Sequence, residues 1–187
     1  MIETIYIEEK IANHPRVLAL KERFSRAEVI FCDSYTEVFN TNKQNFRIQK
    51  SQPALILAQK KGSFALPTPP GYHIGHAYNY YYSMTLNCPF DCRYCFLQGM
   101  YRSAHYVIFI NYENFIEEIE RIEVQHLNER ITFFSGYDAD SLALEAISHS
   151  LRAVIPTFEQ KPHLQLEIRT KSVATQFLLD RPALENV

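Results

Sequence analysis

The chain has 187 residues, 47% of them apolar, with four cysteines and a formal net charge of −2. That apolar fraction supports a buried core and excludes wholesale disorder. The lack of a basic surplus, with a pI near 6.4, argues against a dedicated nucleic-acid module, although a local basic patch stays open.

In chain order, Thr4 to Glu8 alternates as a strand, and His14-Pro15 starts a helix with Val17, Leu18, Leu20 and Phe24 on one face. Glu28 to Cys32 reads as a short buried strand, residues 33–53 as a polar irregular loop, and Ala54 onward as a further strand. Pro67, Pro69, Pro70 and Gly71 mark a break. It divides an α/β region, residues 1–70, from residues 71–187. Tyr78 to Leu86 is aromatic and β-like and runs straight into a cysteine cluster. Its tyrosines can stack on bases or fill a core. Next come an extended Tyr106 to Ile110, a helix from Glu113 to Asn128, and a strand from Arg130 to Phe134. A helix from Asp140 to Phe158, a strand from Leu164 to Ile168 and a helix from Lys171 to Leu179 complete the chain.

From Tyr80 on, the alternation predicts three βα units with parallel strands. Sites on such sheets lie at the carboxyl ends of strands, so the cysteine loop, SGYDAD and RTK are expected to converge. The apolar runs are strand-sized, short of the ~20 residues that a membrane helix needs. The N-terminus carries acids where a signal peptide carries bases. A soluble cytoplasmic protein with no membrane partner is expected.

Cys88, Cys92 and Cys95 form a C-x3-C-x2-C run. With no secretion signal, the clustering favours metal over disulfides. Structural zinc normally takes four protein ligands, and ordinary electron-carrying clusters take four cysteines. Cys32 lies far off in an apolar strand and reads as a small buried residue. Three thiolates can hold three irons of a [4Fe–4S] cubane and leave the fourth open to S-adenosylmethionine (SAM), whose reductive cleavage releases a 5′-deoxyadenosyl radical. A three-cysteine zinc site completed by His73, His76 or His105 is the alternative. Two histidines in a Pro/Gly loop more often face solvent. Gly136 follows a strand, where its N–H can meet the SAM carboxylate or simply serve a turn.

The stretch TLNCPFDCRYCFLQGMY resembles spore photoproduct lyase and its relatives among the radical SAM enzymes, as do YVIFINYENFIEEIE, FSGYDADSLALEAISHSL and LEIRTKS. The resemblance covers most of the chain, more loosely before Ala54. It implies a partial (β/α)6 barrel, of which residues 71–187 would be the N-terminal half, and a carbon–carbon lyase that repairs a thymine dimer in DNA. In that reaction the radical takes a hydrogen from the lesion, a cysteine returns one, and a tyrosine pair assists. The implied cofactors are the [4Fe–4S] cluster and SAM. The implied partners are DNA with damaged thymines and an electron donor such as flavodoxin or ferredoxin.

Carried over by position, Cys88, Cys92 and Cys95 match the cluster ligands and Tyr94 matches the first tyrosine. Asp140 and Lys171 match positions by the SAM and lesion pocket. Asp138 and Asp140 can contact SAM or ribose, and Asp140 can equally cap the helix after it. Three departures stand out. Tyr137 occupies the place of the hydrogen-donor cysteine, Phe96 replaces the second tyrosine, and the chain stops at Val187, after the third βα unit. The chain is therefore expected to be truncated relative to the family. It would be either an enzyme with Tyr137 as hydrogen source or a relative that binds the cluster without dimer repair.

Overall fold

The computed structural model describes residues 2–127 and 129–187. In chain order the elements are β1 (Thr4–Glu8), α1 (Pro15–Arg23), β2 (Glu28–Cys32), α2 (Phe46–Gln49), β3 (Leu55–Ala58), β4 (Ala65–Pro67), β5 (Tyr78–Tyr82) and β6 (Thr85–Leu86). They continue with α3 (Leu97–Met100), β7 (Tyr106–Phe109), α4 (Tyr112–Gln125), β8 (Ile131–Phe134), α5 (Glu145–Ser148), α6 (Ser150–Glu159), β9 (Leu164–Glu167) and α7 (Gln176–Leu179). They form two compact units, one of Met1–Lys60 with Thr85–Ile110 and one of Lys61–Met84 with Asn111–Val187. None of the described helices is long and apolar enough to cross a membrane.

The first unit holds a sheet of order β2-β1-β3-β7-β6, parallel except for the β6–β7 pair. Leu55, Ile56, Leu57 and Ala58 of β3 are all fully buried. That is the pattern of a central parallel strand covered on both faces. Each such large side chain contributes about 1.5–3 kcal/mol when fully buried. Glu8 is buried among them and is satisfied by its backbone partners, since its carboxylate accepts from the N–H groups of Tyr35 and Gln59, both at 2.9 Å. Helix α1 starts at Pro15 with the His14 ring accepting from the Arg16 N–H. It buries Val17 and Leu20. Leu18, expected on that face, is exposed instead. Strand β2 is likewise not a buried strand. It is the sheet edge, with Phe31 48% exposed, because a strand paired on one side only is covered less completely. Cys32 is accordingly half-buried. Residues 33–53, expected to be irregular, contain α2.

The second unit holds a sheet of order β4-β5-β8-β9 in which β5, β8 and β9 are parallel. Phe133, Phe134, Leu164 and Leu166 fill its core with Phe115, Ile119 and Ile122 of α4 and Val154, Ile155 and Phe158 of α6. Phe133 and Phe158 meet edge to face, with centroids 5.8 Å apart. The tyrosines of β5 are therefore mostly core and packing residues. Tyr82 is buried, and Tyr80 stacks on Phe133 at 5.8 Å.

Three expectations are corrected. The strand expected from Tyr78 to Leu86 is interrupted at Ser83 and Met84, and its halves join different sheets. The helix expected from Asp140 to Phe158 begins as turns and then breaks at His149, whose φ of 52° is left-handed. Beyond the break, the buried Glu145 carboxylate accepts from the N–H groups of Leu151 and Arg152 and so gives α6 its own N-terminal cap. The helix expected from Lys171 is only Gln176–Leu179. Before it, the Thr170 hydroxyl accepts from the Ser172 N–H and the Ser172 hydroxyl from the Ala174 N–H. Such local bonds compete with helix. Helix α4 ends at Gln125, and the expected end at Asn128 lies outside the described residues.

Candidate functional site

The cysteine loop belongs to the first unit and leaves the sheet from β6, its antiparallel edge strand. Asn87, immediately before Cys88, sits at φ 65°, a conformation that asparagine tolerates better than most residues. Its buried side-chain amide donates to the carbonyls of Ser103 (2.7 Å) and His105 (2.8 Å). One residue thus closes the loop at its base, entry against exit. Sequence reasoning missed it. An asparagine directly ahead of the first cysteine was the available signal.

Within the loop the Cys95 N–H donates to the Cys92 carbonyl at 2.9 Å, closing a turn. The Gln98 N–H then donates to the Cys95 carbonyl at 3.1 Å and leads into α3. The Gln98 amide donates to the Phe90 carbonyl at 3.0 Å. Cys92 and Cys95 are free thiols, and all three cysteines are partly exposed. Tyr94 and Phe96 project outward, 77% and 62% exposed. The donor set suits an iron–sulfur cluster: three soft thiols on one tight loop, with its base fixed and its rim open. Among the described residues no three His, Cys, Asp or Glu side chains are gathered as a ready-made metal site. The histidines of the zinc alternative are engaged elsewhere. His105 accepts from the Ala54 N–H at 3.0 Å, His76 hydrogen-bonds the Thr132 hydroxyl at 2.8 Å, and His73 accepts from the Gly75 N–H at 3.3 Å. Burial holds the His105 ring below its ordinary pKa.

Electrostatics around the loop are cationic. A hydrogen bond from Lys50 holds the exposed Asp91 carboxyl below its usual range, with Arg93 and Arg47 adding in the same direction. Cys32, away from the loop, is the opposite case. Burial first, then Glu8, Glu37, Asp33 and Glu9, push its thiol up to about 11, which leaves it a poor thiolate ligand or nucleophile at neutral pH.

The other sequence-predicted residues lie in the second unit, where the loops after β8 and β9 are laced together at the carboxyl ends of two neighbouring parallel strands. The Ser135 N–H and hydroxyl both donate to the Glu167 carbonyl. The Ser141 N–H donates to the Arg169 carbonyl, and the Arg169 N–H returns a bond to the Ser141 hydroxyl. Asp140 adds two more ties between the loops and a bond within its own. One carboxylate oxygen accepts from the Leu142 N–H (3.0 Å) and the Thr170 hydroxyl (2.7 Å), the other from the Lys171 N–H (2.5 Å). Gly136 lies tight against Ser141 of its own loop and Arg169 of the other. A β-carbon there would sit 2.7 Å from the Ser141 hydroxyl and 3.2 Å from the Arg169 carbonyl. Tyr137 stacks on Tyr81 of β5, with ring centroids 4.1 Å apart and planes 24° apart. Burial, Asp138 and Tyr137 together raise the Tyr81 pKa. Asp138 accepts from the Ser83 hydroxyl at the point where β5 ends. The structure therefore brings Gly136, Tyr137, Asp140 and Lys171 into one unit, and places Cys88, Cys92, Tyr94 and Cys95 in the other.

A sequence model of the spore photoproduct lyase family matches residues 1–185. The spore photoproduct lyase of Bacillus subtilis (strain 168) is 22% identical over 184 residues, which are 95% of this chain and 52% of that protein. A solved spore photoproduct lyase variant superposes with a TM-score of 0.79 at 19% identity, covering 96% of this chain and 53% of its own. A second variant, solved with bound AdoMet and dinucleoside spore photoproduct, superposes equally well, with the same coverage. The chain thus spans about half the length of the relatives it matches. At this identity the structural likeness establishes the mixed α/β fold with parallel sheets, while the family match runs through the cysteine loop and both laced loops: this chain belongs to the spore photoproduct lyase family.

Proposed function

We propose that this chain is a radical SAM protein of the spore photoproduct lyase type, with Cys88, Cys92 and Cys95 as the three protein ligands of a [4Fe–4S] cluster. The observation that carries this reading is the C-x3-C-x2-C loop of a family member, closed at its base by Asn87 and open at its rim. When bound, the cluster and SAM supply the reductive chemistry that makes a 5′-deoxyadenosyl radical. What the chain's own residues contribute is positioning. Asp140 accepts from Thr170 and Lys171, so it holds the RTK segment beside the SAM pocket. Asp140 and Lys171, by their match to the family positions, and Gly136, by its place after a strand, are the groups assigned to SAM. Tyr94, exposed between two ligands, takes the place of the family's first tyrosine. Tyr137, backed by Tyr81, takes the place of the cysteine that returns a hydrogen atom. The substrate class is a thymine lesion in DNA, and an electron donor such as flavodoxin or ferredoxin would supply the electron. The second reading, favoured by Tyr137 in the place of the hydrogen-donor cysteine and Phe96 in that of the second tyrosine, is a relative that holds the cluster without repairing dimers.

Anaerobic reconstitution tests both readings. About four irons per chain, with 5′-deoxyadenosine released from SAM under dithionite, is the expected result, and a dinucleoside lesion is the next substrate. A cluster without release selects the second reading. Zinc without sulfide overturns both.

A further inference from the structure

Lys50 follows α2, 48 residues before the acceptor it meets beyond the cysteines. Its ammonium donates to Asp91 at 2.6 Å and to Gln98 at 2.6 Å. Asp91 directly precedes Cys92, and Gln98 lies three residues beyond Cys95, so the two bonds bracket the Cys92–Cys95 turn. An ordinary exposed ion pair adds little. Lys50 differs in two ways: its side chain is only 20% exposed, although that of Asp91 is 80% exposed, and it serves two acceptors at once. Its ammonium also lies 5.4 Å from the centre of the Phe46 ring. Gln98 passes the tie onward by donating to the Phe90 carbonyl. The preceding residue, Gln49, makes a third tie by accepting from the Ala104 N–H at 3.0 Å. Gln49 and Lys50, at the end of α2, therefore grip the cysteine loop before Cys92, after Cys95 and at its exit.

We propose that Lys50 is a positioning residue for the cysteine loop, holding the Cys92–Cys95 turn in shape for its metal and keeping a positive charge beside it. The inference rests on the cluster reading for its purpose, but the clamp itself is a property of the protein without metal. Charge-assisted hydrogen bonds are among the stronger ones, and local opening of a loop follows the bonds that close it. Net charge near a cluster is one of the quantities that set its potential.

The test is amide hydrogen exchange of the full chain without metal, comparing wild type with Lys50→Met and Lys50→Arg. The expected result is about tenfold faster exchange at Cys95, Gln98 and Gly99 in Lys50→Met, with β3 and β7 unchanged and protection recovered in Lys50→Arg. Should Lys50→Met loosen the whole unit, Gln98→Leu, which removes one acceptor, should still loosen the loop alone. Unchanged exchange at these three amides in both Lys50→Met and Gln98→Leu overturns the proposal. After reconstitution, Lys50→Met should also give a cluster of lower reduction potential. If wild type takes up no cluster while the exchange result stands, the functional reading fails and the clamp survives.

Discussion

The cysteine loop and the laced loops after β8 and β9 are built on opposite principles. The cysteine loop is tied at its base and flanks, while its cysteines are partly exposed and its aromatics, Tyr94 and Phe96, face outward. The laced loops are already saturated. Asp140 alone takes three bonds from its own chain, and Gly136 leaves no room for a side chain. One region is tied at its base and flanks and leaves its rim exposed. The other is held by hydrogen bonds between its own two segments. A motif marks the first in the sequence because metal chemistry demands particular residues at a particular spacing. The second is marked only by residues whose roles depend on partners elsewhere in the chain.

The largest effect that would break this contrast comes from the cysteines. Cys92→Ala with Cys95→Ala should abolish iron and sulfide uptake, from about four irons per chain to essentially none, while urea unfolding moves little. A substantial loss of stability in the metal-free protein would mean that the thiols already serve the fold. A middle-sized effect is expected at Asp140. Replacing it by alanine strands two N–H groups and a hydroxyl and should cost about 2 kcal/mol, read from the urea midpoint. Asp140→Asn, which keeps one accepting oxygen, should cost about half. Iron content should be unchanged in both, and an Asp140 variant that loses its iron would erase the distinction between the regions. The smallest effect is a change of slope. Burial raises the Glu145 pKa despite the N–H groups of Leu151 and Arg152 that it accepts from. The folded state therefore binds the proton more tightly than the unfolded state, and stability should fall as pH rises from the ordinary glutamate value through the raised one. Glu145→Gln, neutral throughout, should flatten that part of the stability–pH curve. An undiminished slope would assign it to another group.

Much of the fold was legible. Strands β1, β3, β7 and β8 follow from short runs of β-branched and aromatic residues, and the amphipathic spacing of Phe115, Ile119 and Ile122 marks α4. The misses share a cause. Leu18 and Phe31 are apolar and locally well placed for burial, yet nothing covers them fully. His149 breaks a helix because Glu145 caps the next one across the break. Lys171 starts no helix because Asp140, Thr170 and Ser172 hold that backbone by other bonds.

By itself, the sequence determined the chemistry on offer: three thiols in a C-x3-C-x2-C run and the alternation of strands and helices. Residue type and short spacing suffice for these, since metal preference and backbone periodicity are local properties. Tertiary structure alone decided that β5 and β6 separate into two sheets, that Asp140 accepts from Lys171, and that Lys50 brackets the Cys92–Cys95 turn from the end of α2. Each of these depends on a hydrogen-bond partner far away in the chain, and only folding brings such partners within 3 Å.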